Sequence, residues 1–197
     1  MKDGKDKRFD KVRDQPLRFL VFWLIQGLWV FVTLLPTLML NESKRDRPLG
    51  AQDYIGWAIW AAGMVFEVTA DLQKSAFRRD PANDVRLKFQ LRKGYQFFTV
   101  FSMFQGKFIN TGLWSISRHP NYFGEISLWF GLYVSASSVF SGLEYLAVLS
   151  PVFVHLLITK VSGIPLLEKA ALKKWGSLPQ YKEYLKNTPV LVPFLNR

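Results

Sequence analysis

The sequence predicts an all-α, polytopic membrane helix bundle, with about four transmembrane helices and a C-terminal amphipathic helix at the interface. Three observations carry this expectation. Apolar residues make up 49% of the 197-residue chain, yet its net charge is +11, because long apolar blocks alternate with basic ones. Four of those blocks approach the roughly 20 residues that a bilayer crossing requires. Lysine and arginine then fall mostly on one side of them, which is the pattern of a membrane protein with a fixed orientation.

The first span runs from about Leu17 to Leu40, with Arg18 at its edge and Pro36 near its far end. The second covers about Tyr54 to Ala70 and contains Glu67, with Asp71 just beyond. A third covers about Tyr122 to Phe140 and holds Glu125; a fourth covers about Tyr145 to Val161 and contains His155 and Lys160. Between and around them, residues 1–18 carry seven Lys/Arg, 41–50 three, 73–118 nine, 141–144 none and 160–197 seven. Four crossings with both termini in the cytosol therefore put 23 cations inside and three outside, in line with the positive-inside rule.

Two further segments do not span. Residues Gly94 to Phe104 are apolar but too short to cross, which leaves an interfacial or re-entrant placement. After Pro165, Leu166, Leu167, Ala170, Ala171 and Trp175 interleave with Lys169, Lys173 and Lys174, as in a helix lying on the membrane face. The length fits a single membrane domain over residues 1–197.

Composition excludes several chemistries. Cysteine is absent, which removes disulfides, Cys-based zinc sites and thiol nucleophiles. The basic residues cluster beside apolar spans, so lipid headgroups or a bound phosphate fit better than nucleic acid. No HExxH pair, P-loop, GxGxxG turn or nucleophile elbow occurs, so a nucleotide would bind without a Rossmann fold. The first apolar run is too long, and its flank too acidic, for a cleavable signal peptide.

The densest polar stretch is Ser117-Arg118-His119-Pro120-Asn121-Tyr122-Phe123-Gly124-Glu125, at the mouth of the third span. Polar groups packed at a membrane boundary are costly unless they hold something polar. Pro120 suits a first helical turn, whose free N–H groups attract anions beside Arg118. Asn121 and Glu125 then share a helix face, as do Glu67 and Asp71 on the second span. Lys74, Arg78 and Arg79 follow at once, so carboxylates for ribose hydroxyls stand near guanidinium groups for phosphate. The expectation is one shared hollow at the cytosolic side, lined by Asp71, Arg78, Asn121 and Glu125, holding a charged, nucleotide-sized ligand. His155 and Lys160 are balanced between packing and function; a lysine there can snorkel.

At these residues the chain resembles the steroid 5-alpha-reductase-like membrane proteins grouped as domain of unknown function 1295. That group is similar to sterol reductases and isoprenylcysteine carboxyl methyltransferases. The matching pieces are Lys7-Arg8-Phe9-Asp10, Gln26-Gly27-Leu28-Trp29, Glu67 to Lys74, Thr111-Gly112-Leu113-Trp114 leading into Ser117–Glu125, Lys160 to Lys169, Tyr181-Lys182-Glu183-Tyr184 and Pro193-Phe194.

The resemblance implies a membrane enzyme of lipid metabolism whose region from about 51 to 197 binds the cofactor. Carried over from the reductases, Asp71, Arg78, Asn121 and Glu125 would contact NADPH, Glu67 would stand where reductases carry asparagine, and Tyr181 and Tyr184 would line the pocket. In the methyltransferase branch, Arg118, His119, Tyr122 and Gly124 would hold S-adenosylmethionine, with Glu168 at the signature acidic position. That signature has two adjacent glutamates, and here the neighbour is Leu167. Relatives have further helices before the segment that begins here at Met1, and in the reductases these supply the carbonyl-activating Glu/Tyr pair. No catalytic residue is therefore assigned. About Asp84 to Gln105 reads as an insertion, either an interfacial helix of this lineage or translated non-coding sequence.

Three functions follow from these features. The first is an NADPH-dependent reductase of an activated C=C bond in a lipid-like or steroid-like substrate. The second is a methyltransferase of a lipid or prenylated substrate, using S-adenosylmethionine, and the third a non-catalytic protein that keeps the cofactor fold. The expected location is the endoplasmic reticulum or another internal membrane.

Overall fold

The computed structural model describes residues 14–80, 82–83 and 107–195. The Lys7–Asp10 run, the Gly94–Phe104 segment and the suspected insertion at 84–105 thus all lie outside the described residues. Those described form helices joined by turns and irregular connections, with no strand among them.

Helix α1, Pro16–Glu42, starts on a proline in its first turn, where a missing N–H costs no hydrogen bond. Helix α2, Ala51–Arg79, is capped by Asp53, whose Oδ2 accepts the Gly50 N–H at 2.8 Å. It runs nine residues past the expected end of the second span, so Glu67, Asp71, Lys74 and Arg78 all lie on one rigid element. A short turn α3, Leu113–Ile116, leads into α4, Pro120–Ala136, which again begins on proline.

The fourth apolar segment forms a continuous helical run with three hydrogen-bonding patterns. A 3-10 stretch covers Gly142–Val148, α5 covers Leu149–Leu156, and a π-turn covers Leu157–Val161. The single interfacial helix expected at the C-terminus is instead two: α6, Ile164–Trp175, and α7, Pro179–Asn187. The break follows from Gly176 and from Pro179, which opens α7 because it cannot extend a helix from within.

Three helical stretches, Pro16–Glu42, Ala51–Arg79 and Gly142–Trp175, are long and apolar enough to cross a membrane. Helix α4, at 17 residues, is shorter than these, and a 3-10 turn at Ser137–Val139 extends it. Much of the apolar surface faces outward, including Leu24, Ile25 and Leu28 on α1 and Val65 on α2. In water this would be a liability; in lipid it is the solvent-facing surface.

The most extensive pairing joins α2 to α4, antiparallel, along a seam of four glycines. A Cβ built on Gly63 would lie 2.7 Å from the Gly124 carbonyl oxygen, and one on Gly131 would lie 2.7 Å from the Gly56 carbonyl oxygen. Both pairs sit seven residues apart, two helical turns, so they recur on one face of each helix. Small residues let backbones approach closely, which is how helices associate where lipid removes the hydrophobic driving force. Against this pair, α1 is held by α5: Ser150 Oγ donates to the Thr33 carbonyl at 2.8 Å in a buried contact.

Candidate functional site

One end of the bundle gathers the polar sequence stretch, the end of α2 and helices α6 and α7. Trp114 anchors it, with its indole Nε1 donating to the Ala70 carbonyl at 3.0 Å. Gln73 Oε1 accepts the Leu113 N–H at 2.9 Å, fixing the turn after Gly112, which adopts φ 59°. A left-handed residue pressed against a side chain favours glycine.

The C-terminal residues then strap the turn from outside. Arg118 N–H donates to the Pro189 carbonyl at 2.9 Å, and Ser117 Oγ donates to the Leu191 carbonyl at 2.8 Å. The Tyr184 hydroxyl donates to the Trp114 carbonyl at 2.6 Å. Burial pushes the Tyr184 and Tyr181 phenols up, so both stay protonated donors at neutral pH. Ser117 is fully buried as a result, and Arg118 and His119 project from a backbone held on both sides.

These two side chains meet one carboxylate. Arg118 Nη1 donates to Glu168 Oε2 at 2.6 Å, and His119 Nε2 lies 2.8 Å from Glu168 Oε1. A carboxylate only accepts, so that imidazole nitrogen carries the proton. The His119 ring also stacks on Tyr122, with centroids 5.7 Å apart. Helix α6 reaches this point because the π-turn ends beside Gly163, which packs against Tyr122. Such turns often mark functional positions.

A cavity of about 250 Å³ opens beside this triad. Its cations are Lys74, Arg78, Arg118 and Lys174; its aromatic walls are Phe108, Trp114, Trp175, Tyr181 and Tyr184. Phe108 sits at the centre of the wall, 4.9 Å from the Tyr181 ring and 5.3 Å from that of Tyr184. Lys74 Nζ stands 4.5 Å over the Trp114 ring, a cation–π contact.

The cavity does not gather the expected set: of Asp71, Arg78, Asn121 and Glu125, only Arg78 lines it. It takes Arg78, Arg118, His119, Glu168, Tyr181 and Tyr184. Glu67, Asp71, Asn121, Tyr122 and Glu125 do not line it and lie on α2 and α4 where these helices pack together. There Asn121 Nδ2 donates to Asp71 Oδ1 at 3.1 Å, and Gly124 packs directly on the Glu67 backbone. Glu67 also lies within electrostatic reach of Glu125 and Asp71. His155 and Lys160 stand outside the cavity and are exposed.

Sequence reasoning passed over three contributors: Lys174 as a cavity cation, Phe108 as the hub of the aromatic wall, and the glycine seam. The repeated seven-residue glycine spacing was the available signal for the seam. Phe108 had none, since its partners lie some seventy residues away.

Three buried polar atoms have no hydrogen-bond partner among the described residues: Arg118 Nε, His119 Nδ1 and Asn121 Oδ1. Buried polar groups are nearly always paired. All three belong to the same four-residue run. Two donors or acceptors beside a cationic, aromatic cavity and an amide oxygen beside a carboxylate suit a ligand with phosphate, a ring and hydroxyls.

The model of the family described as a protein of unknown function, DUF1295, matches residues 1–188, and the chain belongs to that family. No curated protein and no solved structure matches it.

Proposed function

We propose that this chain binds NADPH at this cavity and serves as a reductase of an activated carbon–carbon double bond in a lipid-like or steroid-like substrate. The observation that carries the reading is the cation set: among the described residues, four lysines and arginines and one carboxylate line a small cavity. Guanidinium and ammonium groups concentrated in this way fit phosphate oxygens. The aromatic wall suits a flat base, and the Asp71–Asn121 pair suits ribose hydroxyls or a carboxamide. At about 250 Å³ the cavity is smaller than a typical site for a drug-sized ligand, roughly 300–1,000 Å³. We place one half of the dinucleotide there, with the other half reaching toward Asp71 and Asn121.

When bound, the cofactor supplies a hydride to the β carbon, and the reduction balances with one proton at the neighbouring carbon. The residues named here bind and orient; Trp114 and the strap keep water from the turn they enclose. The resemblance to steroid and sterol reductases supports this reading, and so does the charge distribution, from which we assign this end and both termini to the cytosol. An internal membrane such as the endoplasmic reticulum fits a substrate that partitions into lipid.

A second reading rests on one observation. The aromatic wall beside Glu168 would also suit the sulfonium of S-adenosylmethionine, since aromatic faces attract cations. Titrating the purified chain with NADPH, NADH and S-adenosylmethionine separates the two. Preference for NADPH, weakened about tenfold or more by Arg78→Ala, supports the reductase. Preferential binding of S-adenosylmethionine, indifferent to that substitution, defeats it. NADPH binding with no turnover of any enone lipid would leave a cofactor-binding fold without catalysis.

A further inference from the structure

Glu168 is the only acidic side chain among the described residues lining the cavity, and it stands where an anionic ligand group would stand. Its two oxygens are divided between partners, Oε2 on Arg118 Nη1 at 2.6 Å and Oε1 at His119 Nε2, 2.8 Å away. A guanidinium usually meets a carboxylate with two parallel bonds. Here one oxygen is drawn to the imidazole instead, so Arg118 Nε is left buried and unpartnered. The basic pair is therefore only partly satisfied by the acid that occupies it.

A phosphate differs from a carboxylate in offering three acceptor oxygens in a tetrahedral spread. It can reach Nη1, Nε and the imidazole together, which two coplanar oxygens do not. Resting on the phosphate-cofactor reading above, we propose that Glu168 is a resident anion, displaced from Arg118 and His119 when the ligand's phosphate binds. The carboxylate has a way out, because its side chain is already 20% exposed while that of Arg118 is 13%. Lys74, Arg78 and Lys174 remain to offset the loss of the internal pair.

This arrangement sets specificity. While Glu168 is in place, Arg118 is neutralised and a small anion gains little by entering. A ligand that brings a phosphate together with a ring for the aromatic wall gains enough to displace the carboxylate. Glu168 thus raises the threshold for binding.

Calorimetric titration of the full chain in lipid nanodiscs tests this, with NADPH and inorganic pyrophosphate as probes. Glu168→Gln keeps the size and an acceptor for Arg118 but removes the competing charge. It is expected to bind both probes roughly tenfold tighter, since like charge at an interface is strongly unfavourable. Glu168→Asp keeps the charge but cannot span both partners, and it is expected to show a smaller gain. Equal or weaker NADPH binding by both variants, with wild-type binding intact, overturns the displacement and leaves the cofactor reading standing. Absence of NADPH binding in all three proteins overturns both. So does S-adenosylmethionine binding that Glu168→Gln weakens, because the carboxylate would then be attracting a cation.

Discussion

The two ends of the bundle use the same residue types to opposite effect. At the end formed by the 42–50 loop and the 137–144 turn, Arg45 bonds the Val139 carbonyl, the Ser141 hydroxyl and Glu144, and Arg47 bonds the Ser138 carbonyl. Gln52 Nε2 donates to Ser137 Oγ at 2.7 Å and to the Val134 carbonyl at 3.0 Å. There the polar groups are spent on closing the chain, around a small core of Ala136, Val139, Phe140 and Ala147. At the other end Arg118, His119 and Asn121 each keep a buried polar atom unpaired among the described residues, and the first two line a cavity. An arginine at a membrane boundary is thus no sign of function by itself; what distinguishes the two ends is whether the protein completes the hydrogen bonding.

The comparison depends on α2 and α4 being held at close range, so the largest expected effect is on their seam. A Cβ on Gly124 would fall 2.6 Å from the Gly63 carbonyl oxygen and 2.6 Å from the Glu67 amide, both backbone atoms that cannot turn aside. Gly124→Ala is expected to cost about 1–3 kcal/mol or more, read as a fall in the thermal unfolding midpoint in detergent, and to disturb the adjoining site. Gly27→Ala on α1 is the control, since nothing lies within 4 Å of the added atom. It should be neutral, or stabilising by up to about 1 kcal/mol through helix propensity. Equal effects at the two positions would remove the seam as the basis of the site.

Much of the fold was legible because it rests on local rules. Pro120 marks a helix start, and apolar runs mark the spans. The run from Arg118 to Glu125 stood out as a cluster of polar groups with no cheap structural explanation. That the cavity forms around Glu168, without Asp71, Asn121 and Glu125, was not legible. It follows from how α6 is aimed by the π-turn at Leu157–Val161, a change of hydrogen-bond register that apolar periodicity does not record. Glu168 could be singled out only by resemblance, because its bond to Arg118 spans fifty positions of sequence. The strap of residues 188–191 was equally hidden, being made of backbone carbonyls that any residue supplies.

Tyr184 offers a smaller effect that sharpens the contrast. Its hydroxyl joins α7 to the Trp114 carbonyl, so Tyr184→Phe should cost about 1 kcal/mol at neutral pH. The wild-type chain should also lose stability in alkali. Burial raises the folded phenol above its unfolded value of about 10. Its contribution is therefore complete below about pH 10 and is lost as pH climbs from there toward the folded value, because the unfolded chain releases the proton first. Unfolding midpoints followed from pH 8 to 11 should fall less steeply in Tyr184→Phe. Parallel curves would mean that the phenol is not held as the structure places it.

The smallest effect is expected at the closed end, and it bears on whether the ends are independent. Arg45 is about half exposed, its side chain at 47%, and its pairing with Glu144 is a surface ion pair. Such pairs contribute little in solvent, and Arg45→Gln should lower stability only slightly. Its NADPH affinity should stay at the wild-type value, because no residue of the 42–50 loop or the 137–144 turn lines the cavity. The two ends are nevertheless joined by α2 and α4, rigid rods that could carry a shift from one to the other. A change of more than about threefold in affinity would show that they do so, at roughly 0.7 kcal/mol of coupling. The closed end would then act as a support for the site rather than as a separate cap.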